Sequence, residues 1–382
     1  MRKVTVLTTL WALIMYEGAF SHPARPLLPE CVERGSKGND VDLICNIANN
    51  QYLDYDNIRL FTQNLNNGGK FNVTITCQTG GLVRMPWPFN AKNVVSIQIS
   101  GCETVGYMSE ALLDSQFPKE LKYVSVVDVT HRIMLKELYD IMINLERLTA
   151  DYECGQIQAF VQIYKNVQYS FPPPSNSLEE IAMLEQLMGT DIIQSLLSRA
   201  RVCTFPNLNY LEESGKTSLS SFHFKIIESN ALYPELKSLK FTNNSLHKVP
   251  EELRNLNIHF MPKLSYLDLS DNDITKPDFT FSGRDRLPLL VNLQRNKIQV
   301  IDSASLNLLT AYLNIVFDIR ANPLRCSCEL IKYGEHLLNR VASKAAKDVY
   351  QELRCSFQNG LVEEQRLISD RGIKERICNG LP

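Results

Sequence analysis

The most reactive side chains in the sequence are ten cysteines: Cys31, Cys45, Cys77, Cys102, Cys154, Cys203, Cys326, Cys328, Cys355 and Cys378. Two of them, Cys326 and Cys328, stand one residue apart in "NPLRCSCEL" (Asn322–Leu330). Such a pair can hold a metal, exchange thiol for disulfide, or enter two different disulfides. With Cys355 and Cys378 it supplies enough thiolates for structural zinc, but such sites use C-x2-4-C pairs, and a C-x-C loop is tight for two ligands on one tetrahedral ion. A redox centre would want C-x-x-C with a lowered thiol pKa, and that spacing is absent. The six histidines are scattered, with no H-E-x-x-H, and there is no G-x-S-x-G turn and no phosphate-binding glycine loop. The expectation is therefore no enzyme, no metal and no cofactor. An even cysteine count instead reads as disulfides formed in an oxidising compartment.

The amino terminus agrees with that compartment. Arg2 and Lys3 precede an apolar run from Val4 to Tyr16, and "GAFSH" follows with small residues Ala19 and Ser21. This reads as a secretory signal peptide cleaved near Ser21–His22. The run is shorter than the ~20 residues of a membrane span. No later stretch approaches one, and the last residues carry no lipid-anchor tail. The expected product is secreted, extracellular and soluble. A net charge of -2 over 382 residues offers no basic footprint for nucleic acid. Asn72 ("NVT") and Asn243 ("NNS") are sequons, each an expected glycan acceptor in a secreted chain. "EESG" (Glu212–Gly215) resembles a glycosaminoglycan attachment site at Ser214.

The elements that position these residues follow from a repeat. "LKSLKFTNNSL" (Leu236–Leu246) and "LSYLDLSDNDI" (Leu264–Ile274) fit L-x-x-L-x-L-x-x-N-x-L, with Phe241 standing in for one leucine. "PLLVNLQRNKI" and "NIVFDIRANPL" fit less completely. Their asparagines, Asn244, Asn272, Asn296 and Asn322, are 28, 24 and 26 residues apart, the leucine-rich repeat period. Each L-x-L is a short strand with one buried face. Each asparagine is expected to turn inward and satisfy backbone groups of the neighbouring turn. The first half is worn: Ile99, Val126 and Ala150 keep spacings of 27 and 24, with Cys102 in the asparagine slot. "LSSFHFKII" (Leu219, Phe222, Phe224) is a further candidate strand. Helical stretches such as Leu135–Leu145 would line the convex side.

Gly155–Ala200 shows no good repeat. "FPPPSNS" breaks the chain, and Ser177 opens a capping box with Glu180. Cys154 and Cys203 bracket the stretch, and a bond between them would staple it. The domain reading is a leader at 1–21, an N-terminal cysteine-containing cap at 22–93 and degenerate repeats at 94–154. An insertion or degenerate repeats follow at 155–203, then repeats at 204–324 and a C-terminal cap at 325–382.

A solenoid exposes a raw apolar face at each end and needs caps. "NPLRCSCEL" with Cys355 and Cys378 resembles the C-terminal cap of extracellular leucine-rich repeat proteins, as in Toll-like receptors and Slit-type adhesion proteins. That resemblance implies Cys326–Cys355 and Cys328–Cys378 bonds. Leu330, Tyr333 and Leu337 would supply the apolar face of the cap helix. "ITCQTGGLVRMP" resembles the end of the family's N-terminal cap through Cys77, Leu82, Met85 and Pro86. The upstream cysteines depart from the family pattern, and four cysteines allow three pairings. The reading favoured here is Cys31–Cys45 with Cys77–Cys102. The implied fold class is an α/β solenoid, a leucine-rich repeat horseshoe with parallel strands on the concave face and cysteine-rich caps at both ends.

The concave sheet is then the candidate binding surface, because curved solenoid sheets offer large rigid contact areas. Its outward positions include Tyr123, Arg147, Lys240, Tyr266, Asp268, Asn292, Asp318 and Arg320. Tyrosine and arginine are frequent hot-spot residues. The expected function is binding of an extracellular protein ligand or receptor ectodomain, as a soluble Toll-like recognition factor, co-receptor or decoy in innate immunity or cell-surface signalling. A second copy of the chain is a further candidate partner. The alternative is a matrix or adhesion component, which a glycosaminoglycan chain on Ser214 would favour.

Overall fold

The computed structural model describes residues 28–35, 40–63, 69–86, 89–107, 109–110, 119–137, 139–140, 159–170, 182–183, 205–215, 232–257, 259–282, 288–340, 343–359 and 362–379. The leader, Arg147, Cys154, Cys203 and the Ser177–Glu180 capping box lie outside them.

An eleven-stranded sheet runs the length of the chain. Its strands are β1 (Cys31–Gly35), β2 (Val41–Ile47), β4 (Phe71–Cys77), β6 (Val94–Ser100), β8 (Tyr123–Val127), β10 (Val161–Lys165), β12 (Tyr210–Ser214), β13 (Ser238–Thr242), β15 (Tyr266–Asp268), β17 (Leu289–Asn292) and β18 (Ile315–Asp318), paired in that order. Only β1 is antiparallel to its neighbour. A second sheet of five parallel strands accompanies the first half: β3 (Tyr52–Asp54), β5 (Leu82–Arg84), β7 (Glu103–Val105), β9 (Thr130–Arg132) and β11 (Gln168–Ser170). Helix α1 (Tyr55–Gln63) follows β3. In the second half, a one-turn helix α2 (Glu251–Arg254) leads into β14 (Asn255–Asn257), which pairs with β16 (Thr280–Ser282). A helix α3 (Ser303–Ala311) precedes β18. The molecule is a leucine-rich repeat solenoid.

Alternation explains the strands. In β13, Leu239 and Phe241 are fully buried while Ser238, Lys240 and Thr242 are half-exposed. The register carries that inward row through Ile97, Val124, Leu211, Leu239, Leu267, Val291 and Phe317, with Gln162 of β10 between Val124 and Leu211. Past the strand the chain must turn sharply. At the equivalent position in eight successive coils it does so with one residue of positive φ: Gly101, Asp128, Asn166, Gly215, Asn243, Asp271, Arg295 and Ala321. A left-handed conformation is costly for residues other than glycine, less so for asparagine and aspartate, which supply half of the eight.

The residue after that turn separates the two halves. In the second half it is Asn244, Asn272, Asn296 or Asn322, each nearly fully buried. The Asn272 amide donates to Phe241 O at 2.8 Å and Leu269 O at 3.0 Å, and its carbonyl accepts from Asn244 N at 2.8 Å and Leu246 N at 3.2 Å. In the first half the slot holds Cys102, Val129 or Val167, all buried. There the next strand belongs to the second sheet, so backbone groups pair with backbone: Thr130 N donates to Cys102 O at 3.0 Å and Gln168 N to Val129 O at 2.9 Å. An asparagine is needed only where that second ladder is missing.

The parallel ladder includes rungs that the sequence reading did not place. The position next to β8 is held by Val161–Lys165, so the sheet continues through the stretch read as an insertion or degenerate repeats; Leu145–Ala150 lie outside the described residues. Tyr210–Ser214 pairs directly with β13, and Leu219–Phe224 lie outside the described residues. The parallel ladder also begins earlier, at Val41, inside the stretch read as the N-terminal cap. The sides opposite the first-half strands carry the second sheet, and helix is described only at residues 135–137 and 139–140 of the Leu135–Leu145 stretch.

Disulfides join Cys31 to Cys45, Cys77 to Cys102, Cys326 to Cys355 and Cys328 to Cys378. At the carboxyl end, α4 (Cys328–Asn339), α5 (Lys344–Glu352), the hairpin β19 (Arg354–Asn359) with β20 (Val362–Leu367), and α6 (Arg371–Asn379) close the core. Ser327 caps α4 by accepting from Leu330 N at 3.2 Å. That start aims Leu330, Tyr333 and Leu337 inward, all buried, and the Tyr333 hydroxyl donates to Phe317 O at 2.5 Å.

Candidate functional site on the concave sheet face

Parallel register stacks outward side chains into columns, because each strand places its neighbours about 4.8 Å away. One column reads Asp42, Asn72, Ser96, Tyr123, Val161, Tyr210, Ser238, Tyr266, Leu290 and Val316. Beside it run Ile44, Thr74, Gln98, Ser125, Ile163, Glu212, Lys240, Asp268, Asn292 and Asp318. Of the residues singled out from sequence, Tyr123, Lys240, Tyr266, Asp268, Asn292 and Asp318 share this face, and Arg320 follows β18. Sequence reading missed Tyr210, Glu212 and Lys165.

These residues organise one another. The Lys240 ammonium sits between two phenol rings, 5.3 Å from the Tyr210 centroid and 5.9 Å from that of Tyr266. Both contacts are within cation–π range. Tyr210 donates its hydroxyl proton to Glu212, whose other oxygen takes Lys165 Nζ at 2.9 Å. Burial opposes ionisation of Glu212, but the hydrogen bonds from Tyr210 and Lys165 outweigh it and lower its pKa. The Tyr266 hydroxyl donates to Asp268 Oδ2 at 2.8 Å, and Asn292 Nδ2 donates to Asp268 Oδ1 at 3.0 Å. Burial first, then the bond to Asp268, push the Tyr266 phenol up to about 12, and Tyr210 rises for the same kinds of reason. Both phenols are neutral donors at physiological pH.

The carboxylates are less available. Asp318 is 3% exposed, gripped by Arg320 Nε at 2.9 Å and Nη2 at 2.6 Å, with Gln294 Nε2 at 2.5 Å. Arg320 also reaches Glu352 of the cap. Asp268 accepts the Ser270 backbone N–H at 3.0 Å and is also nearly buried. Asp268, Asp318 and Arg320 therefore hold the surface in shape, while Tyr123, Tyr210, Lys240, Tyr266, Leu290 and Asn292 present themselves. Ser214 lies in β12, paired on both sides and 9% exposed, a poor position for a glycosaminoglycan chain. Among the described residues no cluster of histidine, cysteine or carboxylate side chains can hold a metal ion, and no helix is long and apolar enough to cross a membrane.

No family model matches the chain, and no curated protein matches it. Among solved structures it is similar to human 5T4 (Wnt-activated inhibitory factor 1, trophoblast glycoprotein) at 14% identity and a TM-score of 0.48, over 94% of this chain and 100% of that one.

Proposed function

We propose that the chain is a secreted, disulfide-capped leucine-rich repeat protein that binds another extracellular protein through the second half of its concave sheet. The reading rests above all on the Tyr210–Lys240–Tyr266 stack. Its side chains are held by hydrogen bonds, cation–π contacts and a parallel sheet, so little rotamer entropy remains to be lost on binding. Large amphipathic rings held rigidly are what binding hot spots are made of. The Glu212, Asp268 and Asp318 carboxylates are balanced by Lys165, Lys240 and Arg320 across the same face, which favours a partner of mixed polar and aromatic character. Within that class, the cap resemblance supports a soluble Toll-like recognition factor, co-receptor or decoy. The matrix reading loses the support it drew from Ser214.

Affinity capture from extracellular fluid with the intact chain, followed by titration of the captured protein, tests this. Tyr266→Ala is expected to weaken Kd by about 30-fold, a hot-spot loss of ~2 kcal/mol. Lys297→Ala, on an exposed side chain away from the stack, is the control and should leave Kd unchanged. Undiminished affinity in both Tyr266→Ala and Tyr210→Ala would move the contact off this face.

A further inference from the structure

The first half of the concave face holds an open groove of about 440 Å3, lined by Asp42, Thr74, Ser96, Gln98 and Tyr123 around Asn72. Asn72 is also the acceptor position of a sequon whose hydroxyl residue, Thr74, lies on the same face two residues along β4. Val73 between them is fully buried, so strand alternation fixes both polar side chains outward. The geometry points to Asn72 as an N-linked glycan acceptor whose sugars lie in this groove and shield the first half of the face, leaving contact to the second half. This rests on the secreted reading above.

The chemistry is compatible with the folded site. In the transfer, the Asn72 amide nitrogen bonds the anomeric carbon of an oligosaccharide carried on a lipid pyrophosphate. The carbon–oxygen bond to that pyrophosphate breaks, its electron pair leaves with the phosphate oxygen, and the amide gives up one proton. An asparagine amide carries two N–H groups. One therefore remains, and it can keep the bond Asn72 Nδ2 now makes to Asp42 Oδ1 at 2.9 Å. That bond would hold the first sugar's linkage in place over the groove. Around it stand the Asp42 carboxylate, the hydrogen-bonding side chains of Thr74, Ser96 and Gln98 and the apolar Ile44, and Tyr123 lies two strands away, about 9.6 Å at sheet spacing. Its ring is a platform on which the core sugars can lie. Asn243, the other sequon, differs. It is exposed and sits past the end of β13 at φ 57°, so a sugar there stands at the rim of the sheet.

The test expresses the full chain with its own leader in animal cells and maps glycopeptides from the medium. It then compares hydroxyl-radical labelling of native protein with that of Asn72→Gln and, as a second sequon knockout, Thr74→Ala. The expected result is an occupied Asn72 and labelling of Tyr123 that rises several-fold in both variants, with Tyr266 unchanged. A chain in the medium with Asn72 unoccupied overturns the inference while leaving secretion intact. An occupied Asn72 with unchanged Tyr123 labelling overturns the placement of the sugar on the face. A chain absent from the medium with neither sequon occupied overturns the secreted reading and the inference with it.

Discussion

Asn272→Ala should lower the unfolding free energy by roughly 3–5 kcal/mol, the largest loss among the four slot asparagines. The side chain is 4% exposed and joins two coils. Its removal takes a donor from the Phe241 carbonyl and strands the N–H groups of Asn244 and Leu246, while Leu269 O keeps the Asn296 amide at 2.9 Å. Each buried orphan costs about 1–3 kcal/mol, partly relieved where water can enter. Asn296 and Asn322 each accept one backbone N–H, from Ile274 at 2.9 Å and Ile298 at 3.1 Å, so their alanine variants should lose less. Asn244 should lose least, about 1–2 kcal/mol, because its amide donates to Glu213 O while its carbonyl oxygen has no partner. Denaturant unfolding of the four variants measures the order. Equal losses at Asn244 and Asn272 would show that the slot acts through packing instead of through its hydrogen bonds. Asn272→Asp separates the roles further, since it keeps the oxygen that accepts from Asn244 N and Leu246 N and loses the donating amide.

That ladder was legible in sequence because one physical demand recurs with one residue type. The first half was less legible for a related reason. Once a second parallel sheet satisfies the backbone after each turn, the slot accepts any buried apolar residue, and Cys102, Val129 and Val167 carry no common letter. The shared feature there is backbone conformation. Gly101, Asp128 and Asn166 all adopt positive φ, as do Arg295 and Ala321 in the second half, where nothing in an arginine or alanine announces it.

The rungs that sequence reading missed, β10 and β12, are those whose side chains violate alternation. In β12 the inward residue after Leu211 is Glu213, 2% exposed where a leucine is expected. In β10, Val161 and Ile163 face outward and Gln162 takes the inward row, an inverted pattern. Tyr164 and Glu213 are register partners at this point, and among the described residues the buried apolar side chains form one cluster ending at Val167 and another beginning at Phe205. The same inversion hid Tyr210 and Glu212 from the candidate site. Spacing did find Tyr123, Lys240, Tyr266 and Asn292. Spacing alone does not reveal that Asp268 and Asp318 are used up inside the surface, which depends on where Arg320 and Tyr266 turn.

Cys355→Ser should cost about 3–4 kcal/mol, on the loop-closure account of a bond with a sequence separation of 29. Two hydrogen bonds and the burial of Cys355 make the loss local to the cap. Cys326 N donates to Ser356 O at 2.8 Å, Ser356 N donates to Leu324 O at 2.8 Å, and Cys355 is 1% exposed. The bond thus clamps β19 to the end of the last coil, while Cys328–Cys378 separately ties the first turn of α4 to α6. One residue between the two cysteines suffices because Cys326 ends the coil and Cys328 begins the helix, with Ser327 as its cap. Freed from β19, α4 keeps its place on the last coil through apolar contact, the Tyr333 hydroxyl on Phe317 O and the Arg340 guanidinium on Ile315 O at 2.5 Å. Hydrogen exchange of the variant should therefore show β19 and α4–α6 losing protection before β13, β15 and β17, since solenoid coils depend chiefly on their neighbours. Uniform loss across the whole chain would mean that the cap and the coils unfold as one unit. Unchanged melting would mean that the bond adds nothing to a cap already held by its core, and that the paired cysteines serve folding and not the stability of the finished seal.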